Sequence, residues 1–252
     1  MRLEGARVLI TGGGAGLGLA FALDLASAGA RVGVCDRNAE SLAAAAAAAG
    51  ERELSLWTAE TDVTDEAGVE RLFAHFVAHH GGIDVAVNNA GLARDGLLVK
   101  ERGEAIEKYP LADWRTVIDV DLTGVFLTGR EAAWHMVRQG TGGVIVSISS
   151  ISRGGVFGQS AYSAAKAGVA AMTVVWAKEL ARHRIRVVAL APGFTNSDLT
   201  SALREDVKER IVAEIPCGRM AEPAEQAHAL RFVLENDYIT GRVVEVDGGL
   251  RV

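Results

Sequence analysis

The sequence predicts an α/β fold: a doubly wound parallel sheet of about seven strands with helices on both faces. Short runs of β-branched and apolar residues alternate along the chain with longer helical patterns, which is typical of right-handed strand–helix–strand units. Most of the short runs are apolar on both faces, as central strands are when helices cover both sides of a parallel sheet. The 252 residues suffice for one large domain, and we expect residues 1–252 to form it.

The runs that predict strands follow one another at regular intervals. They are residues 7–11, 31–36, 54–61, 83–89, 143–149, 185–191 and 243–247. Helical patterns include residues 65–80, 112–138 and 160–183. In such a sheet, ligands bind beyond the carboxyl ends of the strands, so we expect functional residues directly after the strands.

Composition narrows the class of partner. The net charge is −6 and the pI is near 5.6 without a basic run, so we expect no nucleic-acid partner. No apolar stretch is long enough for a membrane span, and the chain does not begin with a secretory signal pattern. Cys35 and Cys217 need not pair, which favours a reducing compartment. We predict a cytoplasmic protein that acts on a small molecule.

No metal site is expected from the sequence. The two cysteines lack metal-ligand spacing. His75, His79 and His80 have helical spacing but no evident third ligand, so we interpret them as the solvated end of a helix.

A glycine-rich turn follows the first strand. Residues 11–18 read TGGGAGLG and lead into a helical pattern, and the next strand ends in Asp36. Glycines allow the backbone to approach a pyrophosphate, and a helix N terminus supplies N–H groups and a positive dipole. A carboxylate at the end of the second strand can accept hydrogen bonds from an adenosine ribose. The pattern predicts a dinucleotide site in a Rossmann-type sheet.

Asp36 and Arg37 bear on which dinucleotide is bound. A 2′-phosphate beside Asp36 would meet like-charge repulsion, which favours NAD(H). The neighbouring Arg37 could grip a 2′-phosphate in a bidentate contact, so NADP(H) stays possible.

Tyr162 and Lys166 stand four residues apart in the Ala-rich run QSAYSAAKAG. This spacing puts them on one face of a helix. An ammonium next to a phenol favours the phenolate, which can exchange a proton with a carbonyl or alcohol oxygen. Such a pair by itself more often marks an ordinary amphipathic helix, so its meaning depends on the rest of the chain.

Together these features resemble the short-chain dehydrogenase/reductase family over essentially the whole chain. The motifs match in order: Thr11-Gly12-x-x-x-Gly16-x-Gly18, Asp62-Val63, NNAG at 88–91, Ser150, Tyr162-x-x-x-Lys166, Pro192-Gly193 and VDGG at 246–249. The resemblance implies a set of cofactor-binding residues. They are Thr11, Gly12, Gly14, Gly16, Leu17, Gly18, Asp36, Arg37, Asp62, Val63, Asn89, Ala90, Gly91, Tyr162, Lys166, Pro192, Gly193 and Thr195.

The resemblance also implies catalytic roles. Tyr162 exchanges the proton with the substrate oxygen, and Lys166 holds the hydroxyls of the nicotinamide ribose. Ser150, at the end of a predicted strand, can hydrogen-bond the substrate oxygen. The motif alignment favours Ser150, although the neighbouring Ser149 remains an alternative.

The chain departs from the family pattern at Asp121, where the family usually has Asn. The resemblance implies that this residue acts through its backbone carbonyl in the proton path to the lysine, while its side chain braces a local irregularity in the helix. The change replaces an amide donor with an acceptor-only carboxylate. A carboxylate near Lys166 would raise the pKa of the lysine and weaken its effect on Tyr162. We count Asp121 among the catalytic residues and expect a working but slowed enzyme.

The substrate is less readable than the reaction. ARDGLLVK and YITGRVVEVDGG resemble the 3-oxoacyl-(acyl carrier protein) reductase branch, whose usual cofactor is NADPH, whereas Asp36 favours an NAD-linked dehydrogenase. A dinucleotide-binding protein without catalysis is the outsider, supported by Asp121 alone. Residues 92–114 are longer than in the family's common version and form either the substrate entrance or a surface excursion.

The pocket and the oligomer are implied by the resemblance. Residues 92–112 and 194–218 should form much of the pocket. Its apolar walls would come from Phe194, Leu199, Leu203 and Ile215, unless these residues only anchor a helix. The helices that hold Trp134 and Trp176 have small and apolar faces that suit helix–helix contact, so a homotetramer or homodimer is expected.

Overall fold

A computed structural model describes residues 1–196, 200 and 204–251. Its strands are β1 Arg7–Thr11, β2 Arg31–Asp36, β3 Leu56–Glu60, β4 Val85–Asn88, β5 Val99–Arg102, β6 Ala105–Lys108, β7 Gly143–Ile148, β8 Ile185–Pro192 and β9 Arg242–Val246. Seven of them form one parallel sheet in the order β3-β2-β1-β4-β7-β8-β9. The chain crosses from β3 on one side of β1 to β4 on the other, so the sheet is doubly wound. The predicted fold class is confirmed.

The helices lie between the strands. They are α1 Gly16–Ser27, α2 Ala39–Gly50, α3 Glu66–His80, α4 Leu111–Ile118, α5 Val125–Gln139, α6 Ser160–Leu180, α7 Glu205–Glu214 and α8 Pro223–Glu235. A π-helical turn, Asp119–Gly124, joins α4 to α5 without a break in the helical path. The pattern at 112–138 therefore forms one helical run with an irregularity in its middle.

Two apolar layers lie on opposite faces of the sheet. Val8 and Ile10 of β1 point into a core with α1, α2 and α8, whereas Leu9 points into a core with α3, α5 and α6. Successive side chains of a strand alternate between faces, so strands covered by helices on both sides need apolar residues at every position. Cys35 of β2 lies in the second core, where burial raises the pKa of its thiol to about 12.

The long segment between β4 and α4 contains an antiparallel hairpin that the sequence does not predict. Strands β5 and β6 pair with each other and are exposed along their whole length. The base of the hairpin is fixed by a bridge between Gly96 and Gln159 and by the Tyr109 hydroxyl, which donates to the carbonyl of Arg94 at 2.6 Å.

Two further expectations concern the ends of the fold. Phe194 and Ile215 pack in a small cluster near the C terminus, while Leu199 and Leu203 lie outside the described residues. In the part of the chain that the structure describes, no helix is long and apolar enough to cross a membrane.

Stability should depend on the helix layers and not on the hairpin. Replacing Phe76, which is fully buried in α3, with Ala should lower the free energy of unfolding by about 3–5 kcal/mol. Replacing residues 99–108 with a short Gly–Ser turn should shift the melting temperature by no more than about 2 °C, because these residues are exposed. Thermal denaturation of both variants tests this. A large loss on removing the hairpin would show that it supports the core.

Candidate active site

The glycine-rich turn between β1 and α1 leaves space for an anion. Gly16, the first residue of α1, has φ of +54°, which other residues rarely adopt. A Cβ atom on Gly12 would lie 2.7 Å from Cα of Ala90, and one on Gly18 would lie 2.1 Å from the carbonyl oxygen of Gly12. Ala15 precedes the helix, and its methyl group cannot cap the first N–H groups. These N–H groups and the helix dipole suit the pyrophosphate of a dinucleotide.

The same turn is tied to the residues after β4. The hydroxyl oxygen of Thr11 accepts hydrogen bonds from the backbone N–H groups of Asn89 and Ala90 at 3.0 and 3.1 Å. The side-chain amide of Asn89 donates to the carbonyls of Thr11 and Gly12 at 3.1 and 2.9 Å. Thr11 and Asn89 therefore fix the shape of the site by joining its two loops.

A cavity lies at the carboxyl ends of β1 to β4. Seven of its lining residues are predicted cofactor contacts: Gly12, Asp36, Arg37, Asp62, Val63, Ala90 and Gly91. Three others are not predicted: Thr61, Leu92 and Val120. Each of these three is next in the sequence to a predicted site residue. This adjacency is the only sequence signal that could have identified them.

The Asp36 carboxylate is held at the mouth of the glycine turn. Oδ2 accepts a hydrogen bond from the N–H of Gly14 at 3.2 Å, and Oδ1 accepts one from the N–H of Asn38 at 3.1 Å. A Cβ atom on Gly14 would lie 3.0 Å from Oδ2, so the glycine permits this approach. Asp36 thus lies beside the turn that suits the pyrophosphate, where an adenosine ribose would lie.

Asp62 faces the same cavity. The N–H of Thr64 holds the pKa of the Asp62 carboxyl below its usual value; partial burial opposes this effect, and the Thr64 hydroxyl and the charge of Arg37 add to it. The positive charge of Arg37 therefore interacts favourably with the Asp62 carboxylate.

Lys166 lies almost completely buried on α6. Its Nζ donates to the carbonyl of Ile148 at 3.0 Å and forms an ion pair with Oδ2 of Asp121 at 3.1 Å; the two side chains are 3% and 0% exposed. The Tyr162 ring lies one turn earlier, with its centroid 5.3 Å from Nζ. Burial lowers the pKa of Lys166, but the charge of Asp121 and the interaction with Tyr162 outweigh it, so the pKa lies above its usual value. The lysine therefore stays charged.

Asp121 occupies the π-helical turn and reaches two elements. Its Oδ1 accepts a hydrogen bond from the N–H of Leu92 at 2.8 Å, while Oδ2 faces Lys166. A Cβ atom on Gly91 would lie 2.9 Å from Oδ2 and 3.4 Å from Nζ of Lys166. The Asp–Lys pair therefore lies directly behind Gly91, which lines the cavity at the ends of β1 to β4.

Ser149 and Ser150 point in different directions. The Ser149 hydroxyl donates to the carbonyl of Lys166 at 2.9 Å and is 1% exposed. Ser150 Oγ instead accepts a hydrogen bond from the N–H of Ser152 at 3.1 Å. The hydroxyl proton of Ser149 is thus used within the protein, whereas Ser150 Oγ is free to donate its own proton.

The residues after β8 lie against the end of β9. The N–H of Gly193 donates to the carbonyl of Val246 at 2.9 Å, and a Cβ atom on Gly193 would lie 2.7 Å from Cα of Asp247. This close approach fixes the backbone that follows Pro192, the last residue of β8.

Thr195 and Leu17 contact the protein interior. The Thr195 hydroxyl donates to the carbonyl of Gly193 at 3.2 Å and accepts from Nε2 of Gln226 at 3.4 Å; the residue is 5% exposed. Leu17 packs against the core on the α1 face. The polar atoms of Thr195 are therefore engaged inside the protein.

The described residues define the class of protein. A glycine turn at a helix N terminus, a carboxylate at the end of β2 and a Ser, Tyr and Lys beyond β7 and on α6 are the parts of a dinucleotide-dependent oxidoreductase. Within the described part of the chain, no group of three or more His, Cys, Asp and Glu side chains is arranged to hold a metal ion.

Comparison with known proteins places the chain in a family. The short chain dehydrogenase family model matches residues 6–208. The chain is 39% identical to a 3-oxoacyl-[acyl-carrier-protein] reductase FabG of Thermotoga maritima over 99% of both proteins. It is 40% identical to the cis-4-hydroxycyclohexanecarboxylate dehydrogenase of Sinomonas cyclohexanicum over 86% of this chain and 84% of that protein. The crystal structure of a short-chain type dehydrogenase/reductase from Mycobacterium marinum matches with a TM-score of 0.88 at 35% identity, over 98% of this chain and 96% of that chain.

The chain belongs to the short-chain dehydrogenase family. It is an oxidoreductase that acts on CH–OH or C=O groups of a small molecule with a nicotinamide cofactor. The resemblance drawn from the sequence motifs is confirmed.

The Asp121–Lys166 ion pair should set the pH range of catalysis. Replacing Asp121 with Asn removes a negative charge 3.1 Å from Nζ, so Lys166 favours the Tyr162 phenolate more strongly. The rise of alcohol oxidation with pH should then move to lower pH. The measurement is kcat/KM for alcohol oxidation between pH 5 and pH 10.

Asp119→Asn is the matched control, since Asp119 lies on the same π-helical turn but is exposed. Its pH profile should equal that of the wild type. Superimposable profiles for all three proteins would show that Asp121 has no part in the proton transfer.

Proposed function

We propose that this protein is an NAD(H)-dependent oxidoreductase that transfers a hydride between nicotinamide and a secondary alcohol or ketone, with Tyr162 as the general acid and base. The observation that carries the proposal is the Asp36 carboxylate, fixed 3.2 Å from the N–H of Gly14. At this position it would accept hydrogen bonds from both ribose hydroxyls of NAD(H) and repel the 2′-phosphate of NADP(H).

The charges of the cavity support NAD(H). Asp36, Arg37 and Asp62 are the charged residues among those that line it. Two carboxylates face one guanidinium, so the cavity carries a net negative charge. The guanidinium also interacts with Asp62. A doubly charged phosphate would therefore enter a site with two negative groups and one positive group.

The catalytic side chains would handle the proton. Nicotinamide, when bound, supplies or accepts the hydride. In carbonyl reduction the Tyr162 hydroxyl donates its proton to the substrate oxygen, and in alcohol oxidation the phenolate takes it back. The charge of Lys166, 5.3 Å from the ring centroid, favours the phenolate in that exchange.

Ser150 would orient the substrate oxygen. The N–H of Ser152 already occupies a lone pair of Oγ at 3.1 Å, which directs the Ser150 proton to a second acceptor. A hydrogen bond from this hydroxyl to the substrate oxygen would stabilise the charge that develops during hydride transfer.

An NADPH-dependent 3-oxoacyl-(acyl carrier protein) or 3-oxoacyl-CoA reductase is the alternative. The 39% identity with the Thermotoga maritima reductase over 99% of the chain favours it. In that case Arg37, which lines the same cavity as Asp36, would bind the 2′-phosphate.

We also infer that residues 1–252 form one cytoplasmic domain that assembles into a homotetramer or homodimer. Phe126, Trp134 and Val175 on α5 and α6 are 42%, 48% and 50% exposed. Trp176 of α6 packs over Gly129 of α5, where a Cβ atom would lie 2.5 Å from the ring, so the two helices approach closely at this point. Burial of the exposed side chains against a second copy would remove them from water.

Cofactor preference is the first test. The wild type should use NADH at least about 10-fold more efficiently than NADPH, and Asp36→Asn should reduce that ratio by about 10-fold, because one like charge is removed. The measurement is kcat/KM for acetoacetyl-CoA reduction with each cofactor, and for oxidation of cis-4-hydroxycyclohexanecarboxylate with each oxidised cofactor. Arg37→Gln should leave the preference for NADH intact. A wild type that prefers NADPH and loses it in Arg37→Gln would support the alternative.

Removal of the phenol tests the catalytic role. Tyr162→Phe should lower kcat by about 10²–10⁴-fold, because the proton donor is lost. NADH binding, measured by fluorescence, should persist. Tyr238→Phe is the control, since Tyr238 is 99% exposed, and it should retain full turnover. Equal turnover in both variants would rule out Tyr162 as the acid and base.

A further inference from the structure

Arg153 lies in the short 3-10 turn Ile151–Gly154 that follows β7. Its backbone N–H and its Nη1 both donate to the carbonyl of Ser150, each at 3.2 Å. The hydroxyl of Ser150 is held within the same turn by the N–H of Ser152. Arg153 therefore holds the backbone carbonyl of Ser150, the residue that would contact the substrate oxygen.

The other end of the guanidinium reaches the last strand. Nη2 of Arg153 forms an ion pair with Glu245 of β9. Glu245 is shared with Arg251, which lies 3.0 Å away and also pairs with Asp247 at 3.0 Å. The hydrogen bond from Arg153 holds the pKa of Glu245 below its usual value. Burial opposes this effect and the charges of Arg153 and Arg251 add to it, so the carboxylate is ionised at neutral pH.

The end of β9 is also the anchor of the loop after β8. Gly193 donates its N–H to Val246, the residue after Glu245, at 2.9 Å. In the sheet, β8 lies between β7 and β9. The Arg153 side chain therefore spans from the end of β7 to β9, past the end of β8, and connects Ser150 with the strand that holds Gly193.

We propose that Arg153 is a positioning residue that fixes Ser150 relative to the loop at Gly193 by bridging the Ser150 carbonyl to Glu245. The inference rests on the proposed role of Ser150. A guanidinium can donate to both partners at once because its N–H groups point in different directions within one plane. Substrate-contacting groups must be held within fractions of an ångström of their working geometry, so loss of this bridge would slow the reaction without removing a reacting group.

The bridge acts locally. The side chains of Arg153 and Glu245 are 23% and 36% exposed, and ion pairs with this exposure contribute little to global stability. Variants of Arg153 should therefore fold and melt like the wild type while the turn at residues 151–155 loosens.

The first experiment needs no substrate. Amide hydrogen exchange reports the N–H groups of Ser152, Arg153 and Gly155, which are hydrogen-bonded within the turn. In Arg153→Ala their exchange should be at least about 10-fold faster than in the wild type. Arg251→Gln is the matched control, because it removes another cation from Glu245 without touching Ser150, and it should exchange like the wild type. Unchanged exchange in Arg153→Ala would overturn the inference.

The second experiment is a double-mutant cycle between Arg153→Ala and Ser150→Ala. It measures the reduction of acetoacetyl-CoA with NADH. Arg153→Ala should lower kcat by about 10–100-fold with unchanged KM for NADH. Arg153→Lys keeps the charge but cannot serve both partners, so it should also lose activity. In the Ser150→Ala background, Arg153→Ala should cost nothing further, because the group that it positions is already gone.

The outcomes separate the two proposals. If Ser150→Ala keeps full turnover, the proposed role of Ser150 fails, whereas faster exchange in Arg153→Ala still supports the bridge itself. If Ser150→Ala is impaired but Arg153→Ala is not, the positioning role is overturned alone. An equal loss from Arg153→Ala with and without Ser150 would also overturn it, since Arg153 would then act on the fold in general.

Discussion

The proposed catalytic end of this protein is arranged around a lysine ammonium that is almost completely removed from water. Transfer of an isolated charge into a protein interior is costly unless it is paired and hydrogen-bonded. Lys166 meets this requirement with the Asp121 carboxylate and the carbonyl of Ile148. Both partners are fixed by regular structure, since Asp121 belongs to the π-helical turn and Ile148 ends β7. Gly91 leaves the space in which the pair forms.

The parallel sheet explains why distant motifs meet. The carboxyl ends of parallel strands share one edge, so Gly12, Asp36, Asp62 and Ala90 line one cavity although they lie at the ends of four different strands. This part of the site was predictable from the sequence, because each residue lies at or just after the end of a strand and glycines mark the close contacts. The buried face of every strand also needs apolar residues, which made the strands themselves readable.

Other features depend on contacts that no local pattern encodes. Arg153 and Glu245 lie 92 residues apart, and nothing in either neighbourhood marks the pair. The choice between Ser149 and Ser150 follows from the alternating direction of side chains in an extended backbone, which sequence spacing left open. The sequence carries one signal for the hairpin, which is the glycine at position 103. In the structure Gly103 has φ of +62° and lies in the turn between the four-residue strands β5 and β6. Its strands are exposed at every position and most of their residues are charged, so they lack the apolar pattern by which the other strands are recognised.

Aspartate at position 121 preserves most of the contacts that an asparagine would make there, although it adds a negative charge. Oδ1 accepts the N–H of Leu92 at 2.8 Å, a contact that the oxygen of an asparagine amide would make equally well. Only Oδ2 differs, because an amide nitrogen there would direct a donor at the Lys166 ammonium. With aspartate the same atom becomes the counter-ion of the lysine at 3.1 Å. The geometry of the turn and the electrostatics of the lysine are therefore separable at this residue. The loop at Leu92 is held in either case, while the charge that Lys166 presents to Tyr162 depends on which atom stands at Oδ2.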